Sequence, residues 1–458
     1  MQHTTKWTLR KQIQMFKRAF FQLEGLPFAQ ALPAERLAQI AQYAPGRRNR
    51  IFSPLTTLKT FLWQVLSDDG SCKEAVASVL AERLAQGNAP NSVNTGPYCK
   101  ARQRLPLAPL QEAVKDTGAN LHRKAQSGWT WHGYNVVMVD GTTVSMPDTP
   151  DNQGEFPQQR NQKAGLGFPI ARLVGLISLS VGGVIDYALS SYQGKGSGES
   201  SLLCQLFPSL GPGDLLLGDR YYCTYAIVAL LQAKGCPVVF RNHAGKKSDF
   251  RTGTRLDERD HLIVWKKPNR APVWMSPEDY AQLPDSLQVR ECSVDGVEYV
   301  TTLIDPKPHH KKTIAALYRE RWKIELDLRS IKTDMRMDAL RCQTPAMVRK
   351  EIAAYLLAYN LIRISMAQAA SRHRMHPRTL SIRAAIQLLT KATGLLANTT
   401  GAALERSCSC LLEAIGSTTI GRRKRRPQPR AVKRRPKPFP LLMEPRAIAC
   451  QKLMRMEA

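Results

Sequence analysis

What is scarce in this 458-residue chain narrows its function first. No stretch is both long and apolar enough to span a bilayer, since Ala171 to Leu189 is broken by Arg172, Asp186 and a Gly-Gly pair. No leader peptide is expected at Met1 to Phe20, where Lys6, Arg10, Lys11, Lys17 and Arg18 interrupt any apolar run. The ten cysteines are scattered, and their one close pair, Cys408-Ser409-Cys410, is too tight for a usual zinc or redox motif. They are expected as reduced, buried thiols of a cytosolic protein. The nine histidines show no His-x3-His spacing, so structural zinc is not expected, and His309-His310 falls in a loop before a helix.

Acid is the remaining shortage. Against 66 Lys+Arg stand only 37 Asp+Glu, a formal charge of +29 that would repel itself unless a polyanion accompanies it. Ten of those cations lie between Gly421 and Lys437, and removing them still leaves +19 on the rest. The folded body is therefore basic, as expected of a protein that grips nucleic-acid phosphates over a wide surface. Hydrophobic residues make up 43%, enough for a real core, and the length suggests roughly three domains.

From Phe16 to about Ala125 the apolar spacing is helical. Pro54 to Leu66 and Ala75 to Leu84 form two helices, and Thr95-Gly-Pro97 caps a third that carries Lys100, Arg102 and Arg104. This is either a helix-turn-helix-like DNA reader or a plain helical lobe, because the linker exceeds the usual three- or four-residue turn. At Tyr134 the pattern changes. Asn135-Val-Val-Met-Val139 is a strand ending at Asp140-Gly-Thr-Thr143, and strands at Arg172 to Ser180 and Val184 to Tyr192 flank Gly182-Gly183, a two-residue hairpin signal. A helix near Glu199 to Leu206, a strand Asp214 to Gly218 ending at Asp219, a helix near Tyr225 to Ala233 and a strand Pro237 to Phe240 follow. A three-strand meander and then alternating helix and strand is the order of an α/β, RNase H-like mixed-sheet domain.

Between Arg241 and Asp305 the helical period disappears, and His261 to Trp265, Val273-Trp-Met275 and Tyr299 to Leu303 are β-like. Helix returns at Thr313 to Lys332 and from Pro345 through Ala370, the latter capped by Gln343-Thr344. The expected organisation is a helical amino-terminal lobe (1–125), a discontinuous catalytic domain (126–240 and 306–372), a β-rich insertion (241–305), a helical carboxy-terminal lobe (373–420) and a basic, Pro-rich tail (421–458). The tail lacks the means to pack a core.

One helix gathers unusual chemistry. At 100° per residue, with Tyr318 at 0°, Arg321 falls near 300°, Glu325 near 340°, Arg329 near 20° and Lys332 near 320°, one arc of roughly 80°. The bland alternative is a solvated charged face laced with ion pairs. Tyr318-x2-Arg321-x3-Glu325-x6-Lys332 nonetheless resembles the Y-x2-R-x3-E-x6-K signature of bacterial insertion-sequence transposases of the DDE superfamily, the YREK group. Val139-Asp-Gly-Thr-Thr-Val-Ser-Met-Pro-Asp148 resembles the segment bearing that family's first catalytic Asp, and Leu217-Gly-Asp219-Arg-Tyr-Tyr222 the second. The insertion, Cys342-Gln-Thr-Pro345 and the tail Pro429 to Pro436 are similar as well.

The resemblance implies Asp140, Asp219 and Glu325 as catalytic metal ligands, and cut-and-paste transposition through DNA hairpins. It also implies two Mg²⁺ ions, with Mn²⁺ as a substitute, and a homodimer acting on double-stranded DNA ends and target in the bacterial cytoplasm, at the nucleoid. Tyr318, Arg321 and Lys332 would contact phosphates by resemblance, and Arg329 by helix geometry; Arg grips a phosphate in bidentate fashion, Lys as a point charge. Tyr299 is the choice for stacking a flipped base, with Trp265 and Trp274 as rivals. The alternatives are a nuclease without strand transfer and a catalytically silent DNA-binding regulator. Individually the acids have ordinary explanations: Asp-Gly after a strand is usually a turn, and Asp219-Arg220 could be a surface ion pair. Asp148, Asp186 and Asp214 are assigned to turns or capping, and Glu199 to the first turn of a helix, near its macrodipole.

Overall fold

In the computed structural model, which describes residues 2–20, 26, 28, 30–42, 51–89, 92–243, 245–397, 399, 401–421 and 441–456, helices come first. They are α1 (Gln2–Ala19), α2 (Ala34–Gln42), α3 (Pro54–Leu66), α4 (Cys72–Ala85), α5 (Gly96–Arg104) and α6 (Leu107–Arg123). Ser53 and Ser71 open α3 and α4 by accepting the backbone N–H of Thr56 and Glu74. Thr95 precedes α5 but makes no such bond, so the helix starts on the fixed φ of Pro97 alone.

The sheet elements are β1 (Asn135–Ser145), β2 (Ile170–Ser178), β3 (Val184–Ser191), β4 (Asp214–Gly218) and β5 (Val238–Arg241). The short helix α7 (Pro150–Glu155) follows β1; α8 (Glu199–Leu206) and α9 (Tyr225–Ala233) cross between β3, β4 and β5. β1, β2 and β3 form an antiparallel meander, while β4 and β5 run parallel to β1. This is the RNase H-like mixed sheet that the order of elements foretold. Leu215, Leu216 and Leu217 of β4 are all fully buried, because helices cover both faces.

The strand-rich segment does not stand apart. It contributes β6 (Thr254–Asp257), β7 (Asp260–Lys266), the short helix α10 (Pro277–Ala281), β8 (Ser286–Val294) and β9 (Val297–Thr301). β9 pairs antiparallel with β5, so one nine-stranded sheet runs β3-β2-β1-β4-β5-β9-β8-β7-β6. Arg290, fully buried on β8, is held by both carboxylate oxygens of Asp260 on β7, at 2.8 and 2.6 Å.

After the sheet come α11 (Lys311–Arg319), α12 (Trp322–Arg329), α13 (Pro345–Arg372), α14 (Ile382–Ala397), α15 (Gly401–Ser417) and α16 (Arg446–Met456). α13 is buried on every face from Glu351 to Ala370, as a helix apolar all round must be. It packs on α6, α3 and α15 and locks the meander through Asn360. That amide donates to the carbonyls of Val114 and Val184 and accepts the Val184 N–H at 2.7 Å.

Several local expectations are corrected. The β2–β3 connection spans residues 179–183 rather than two residues, closed by the Gly182 N–H on Ser178, with Gly182 at φ +77°. Val273 to Met275 is a turn, because the Pro272 carbonyl takes the Met275 N–H. Thr344 makes no side-chain cap. Asp186 is no turn residue: it is buried within β3, where it accepts the Ser209 hydroxyl. Among the free thiols, Cys410 and Cys450 are exposed. Most of the basic run of the tail, residues 422–440, lies outside the described residues; α16 beyond it buries no side chain. Among the described residues no helix is long and apolar enough to cross a membrane.

Candidate active site

β1 continues to Ser145, so Asp140-Gly141 is not a turn but the middle of a strand. β1 and β4 are in parallel register, with Met138 opposite Leu217. Asp140 and Asp219 stand two residues beyond that last pair, near enough for the charge of Asp219 to bear on the Asp140 carboxyl. β4 stops at Gly218 and the chain turns sharply. The Asp219 carboxylate accepts the Tyr221 N–H at 2.8 Å, and the ion pair with Arg220, the ordinary alternative explanation for this acid, is not formed among the described residues.

The third acid arrives on a broken helix. The Thr313 to Lys332 segment is not continuous: α11 ends at Arg319, and the Glu320 and Arg321 N–H groups bond to the carbonyls of Leu317 and Tyr318, three residues back. That tightened turn re-aims the chain, and α12 carries Glu325 over β1. Arg321, at the start of α12, stands between two acids. One guanidinium nitrogen lies 2.8 Å from Glu325 Oε1 and another 3.7 Å from Asp140 Oδ2. Beyond α12, Ser330–Asp334 is a π-helical turn, so the evenly wound face assumed from 100° per residue is distorted before Lys332.

Electrostatically the site is short of positive charge. Burial pushes the Asp140 carboxyl up to about 6, reinforced by the charges of Glu199 and Asp219, against the lowering influence of the Gly141 N–H and Arg321. Among the described residues no ion pair neutralises Asp219 or Glu199. Nor do three acids, histidines or cysteines yet converge closely enough to clasp a metal, with Arg321 interposed. The donors nevertheless suit a hard divalent ion, being carboxylate oxygens around a spot where a cationic guanidinium already bridges two of them.

The phosphate-binding candidates separate. Arg329 is exposed and Lys332 half-buried, and neither has an ion-pair partner among the described residues. Half-buried Tyr318 packs its ring 5.2 Å from that of Tyr299. Tyr299 and Trp265 are buried, the indole N–H of Trp265 donating to Glu291 and its ring covered by Lys246 at 3.6 Å; neither presents a face to a flipped base. Trp274 is half-buried against the same core. On α5, Lys100 and Arg104 are exposed, whereas Arg102 turns inward over the rings of Phe61 and Tyr98 and bonds to Gln64 and Cys72. Arg102 thus belongs to the lobe's packing.

Two residues named in the sequence, Glu199 as a helix-opening acid and Tyr222 without a role, also lie at the site. Glu199, at the start of α8, approaches β1 from the face opposite α12, beside Gly141, and Tyr222, fully buried, donates its hydroxyl to Glu199 Oε2 at 3.3 Å. The available signals were the glycine after Asp140 and the second tyrosine after Asp219.

Comparison with known proteins gives a consistent picture. The family described as "Transposase DDE domain" matches residues 131–361, just over half of the chain. Transposase InsG for insertion sequence element IS4, from Escherichia coli K12, is 24% identical over 389 residues, covering 84% of this chain and 86% of its own length. Putative transposase InsZ of the same organism is 24% identical over 46% of this chain and 68% of its own. A solved piggyBac transposase synaptic complex with hairpin DNA overlays at a TM-score of 0.41 and 9% identity, over 87% of this chain and 85% of that one.

Proposed function

The chain belongs to the DDE-domain transposases, enzymes that cleave and rejoin DNA with divalent metal ions, and we propose that Asp140, Asp219 and Glu325 are its catalytic metal ligands. The observation that carries the reading is the parallel register of β1 and β4, whose last pair, Met138 and Leu217, stands two residues before Asp140 and Asp219, together with Arg321 bridging Asp140 to Glu325. The ion set is two Mg²⁺, replaceable by Mn²⁺. When bound, such ions supply an activated water or 3′-hydroxyl and a stabilised leaving oxygen.

The protein's own residues then divide the work. The three carboxylates hold the metal oxygens. Arg321, bridging Glu325 and Asp140, is released to grip a DNA phosphate in bidentate fashion. Tyr318, Arg329 and Lys332 extend that contact along the backbone, the role that membership of the YREK group would give Tyr318 and Lys332, and Lys100 and Arg104 of α5 add sequence-independent charge from the 1–125 lobe. The catalytic unit is 126–240 with 306–372, the 241–305 strands extend its sheet, and 373–420 braces α13. The working form is a homodimer that cuts and pastes an element through hairpin ends, acting on nucleoid DNA in the cytoplasm.

The test incubates the protein with Mg²⁺ and a DNA fragment bearing the element's ends, beside Asp140→Ala. Joined products that vanish in the variant while DNA binding persists support the reading. Cleavage without joining turns it toward a nuclease, and undiminished cutting by the variant removes Asp140 from the site.

A further inference from the structure

The helix that carries Glu325 is short and has no cap of its own. α12 starts at Arg321 without a side-chain hydrogen bond and runs straight into the π-helical turn Ser330–Asp334, so neither end fixes its direction. What holds it lies on its far side. Asp327 stands about 200° around the helix from Glu325, at about 100° per residue. Its Oδ1 accepts from Arg363 on α13, from Arg378 at 2.6 Å and from the Tyr359 hydroxyl at 3.1 Å. Arg378 comes from the carboxy-terminal lobe, in the 3₁₀ turn Pro377–Thr379 between α13 and α14. Its other two nitrogens donate to the sheet, Nε to the Leu179 carbonyl at 2.7 Å and Nη2 to the Ser178 carbonyl at 2.8 Å. Ser178 ends β2 opposite Val137, and the Leu179 N–H bonds to the Val136 carbonyl, so the gripped segment is itself fastened to the strand of Asp140. One planar, rigid fork thus joins the helix of Glu325 to the strands that hold Asp140.

Folding alone does not call for this second guanidinium. The side chains of Asp327, Arg363 and Arg378 are 1%, 5% and 8% exposed, and among the described residues neither arginine pairs with another acid. Arg363 already neutralises Asp327, so Arg378 adds a surplus buried charge, which is destabilising. Nor does it complete the carboxylate, since Asp327 Oδ2 has no partner among the described residues. Gly182 clears the room for both arginines: a methyl group there would lie 2.7 Å from Arg363 Cζ and 2.9 Å from Arg378 Nη1. What Arg378 supplies and Arg363 does not is the tie to β2.

We propose that Arg378 is a positioning residue for DNA cleavage and joining: by clamping Asp327 to the end of β2 it sets where Glu325 stands relative to Asp140, and it makes the carboxy-terminal lobe part of the active site's scaffold. This rests on the assignment of Asp140 and Glu325 made above. A misplacement of about 1 Å, caused far from the chemistry, can cost about 100-fold in rate. Lys at this position keeps the charge but lacks the fixed fork that holds three acceptors in one plane.

The experiment follows cleavage of a DNA fragment bearing the element's ends, at saturating Mg²⁺ and DNA. Wild type, Arg378→Lys, Arg378→Gln, Arg363→Lys and Glu325→Gln are compared, with DNA dissociation constants, melting temperatures and hydrogen–deuterium exchange of the α12 peptide measured alongside. We expect both Arg378 variants to cut at least about tenfold more slowly at unchanged DNA affinity and melting temperature, with faster exchange confined to α12. Arg363→Lys, which leaves the tie to β2 in place, should keep the wild-type rate. Wild-type cutting by the Arg378 variants, an equal loss in Arg363→Lys, or a loss that appears in DNA affinity rather than rate overturns the role of Arg378, and an inactive Glu325→Gln then leaves the assignment of Glu325 standing. Undiminished cutting by Glu325→Gln, or a wild type that cuts no DNA, overturns that assignment and the proposal with it. A lowered melting temperature with the rate restored on cooling, or failure of both Arg378 variants to fold, makes the residue structural and overturns the proposal alone.

Discussion

Replacing Asp140 by Asn should stabilise the metal-free protein while abolishing its chemistry. Burial and two neighbouring carboxylates raise the Asp140 carboxyl from 3.8 to about 6. At about 1.4 kcal/mol for each pH unit, keeping this group ionised above pH 6 costs the fold about 3 kcal/mol. The folded state holds the proton more tightly than the unfolded chain, so this contribution to stability is greatest below about pH 4 and is lost as pH rises through about 6. Asn retains an oxygen for the Gly141 N–H, which now bonds to Oδ1 at 2.9 Å, and leaves Arg321 its shorter contact with Glu325. In urea unfolding with EDTA at pH 8, followed by tryptophan emission, the variant should gain about 2–3 kcal/mol over wild type, an advantage that vanishes by pH 4. Added Mg²⁺ should stabilise the wild type and not the variant. A variant equal to or weaker than wild type at pH 8, or a difference that ignores pH, refutes the reasoning.

Further outcomes follow from other contacts. Asp327, buried on α12, accepts from Arg378 at 2.6 Å and from Arg363 and Tyr359, so Asp327→Ala strands two guanidinium groups and should lower stability by about 3–5 kcal/mol in the same urea assay. Asn360→Leu leaves the Val114 and Val184 carbonyls and the Val184 N–H without their partner and should cost at least about 2 kcal/mol; a neutral result would mean that the α6–β3–α13 junction is held by packing alone. Arg329→Ala and Lys332→Ala should each reduce the slope of log affinity against log salt by about 0.9 for duplex DNA, with unchanged melting. Arg104→Ala should weaken DNA binding at constant stability, whereas Arg102→Ala should lower the melting temperature, since it removes a guanidinium stacked 5.0 Å from the Phe61 ring.

The mixed sheet was legible because its buried strands announce themselves: β4 is Asp-Leu-Leu-Leu-Gly, and its bounds match the apolar run. Helices α8 and α9 likewise begin and end where the spacing does. What escaped was tertiary. Nothing local to Glu320 and Arg321 declares a break, because both are good helix formers; the chain kinks there so that Glu325 can cross β1. The inward turn of Arg102 depends on Phe61 and Gln64 of a different helix. Glu199 was readable only as the first residue of a helix, since its proximity to Gly141 exists only once α8 lies on the sheet.

The pairing of β5 with β9 has an evolutionary corollary. About a hundred residues separate Asp219 from Glu325 along the chain, yet the strands between them extend outward and return through β9 to the edge of β5. Additions or losses at the far hairpin of β6 and β7 therefore leave the spacing of the acids untouched. The lineage could remodel its outer rim, ending in the short charged strand Thr-Arg-Leu-Asp that discourages edge-to-edge association, without retuning the chemistry at the centre.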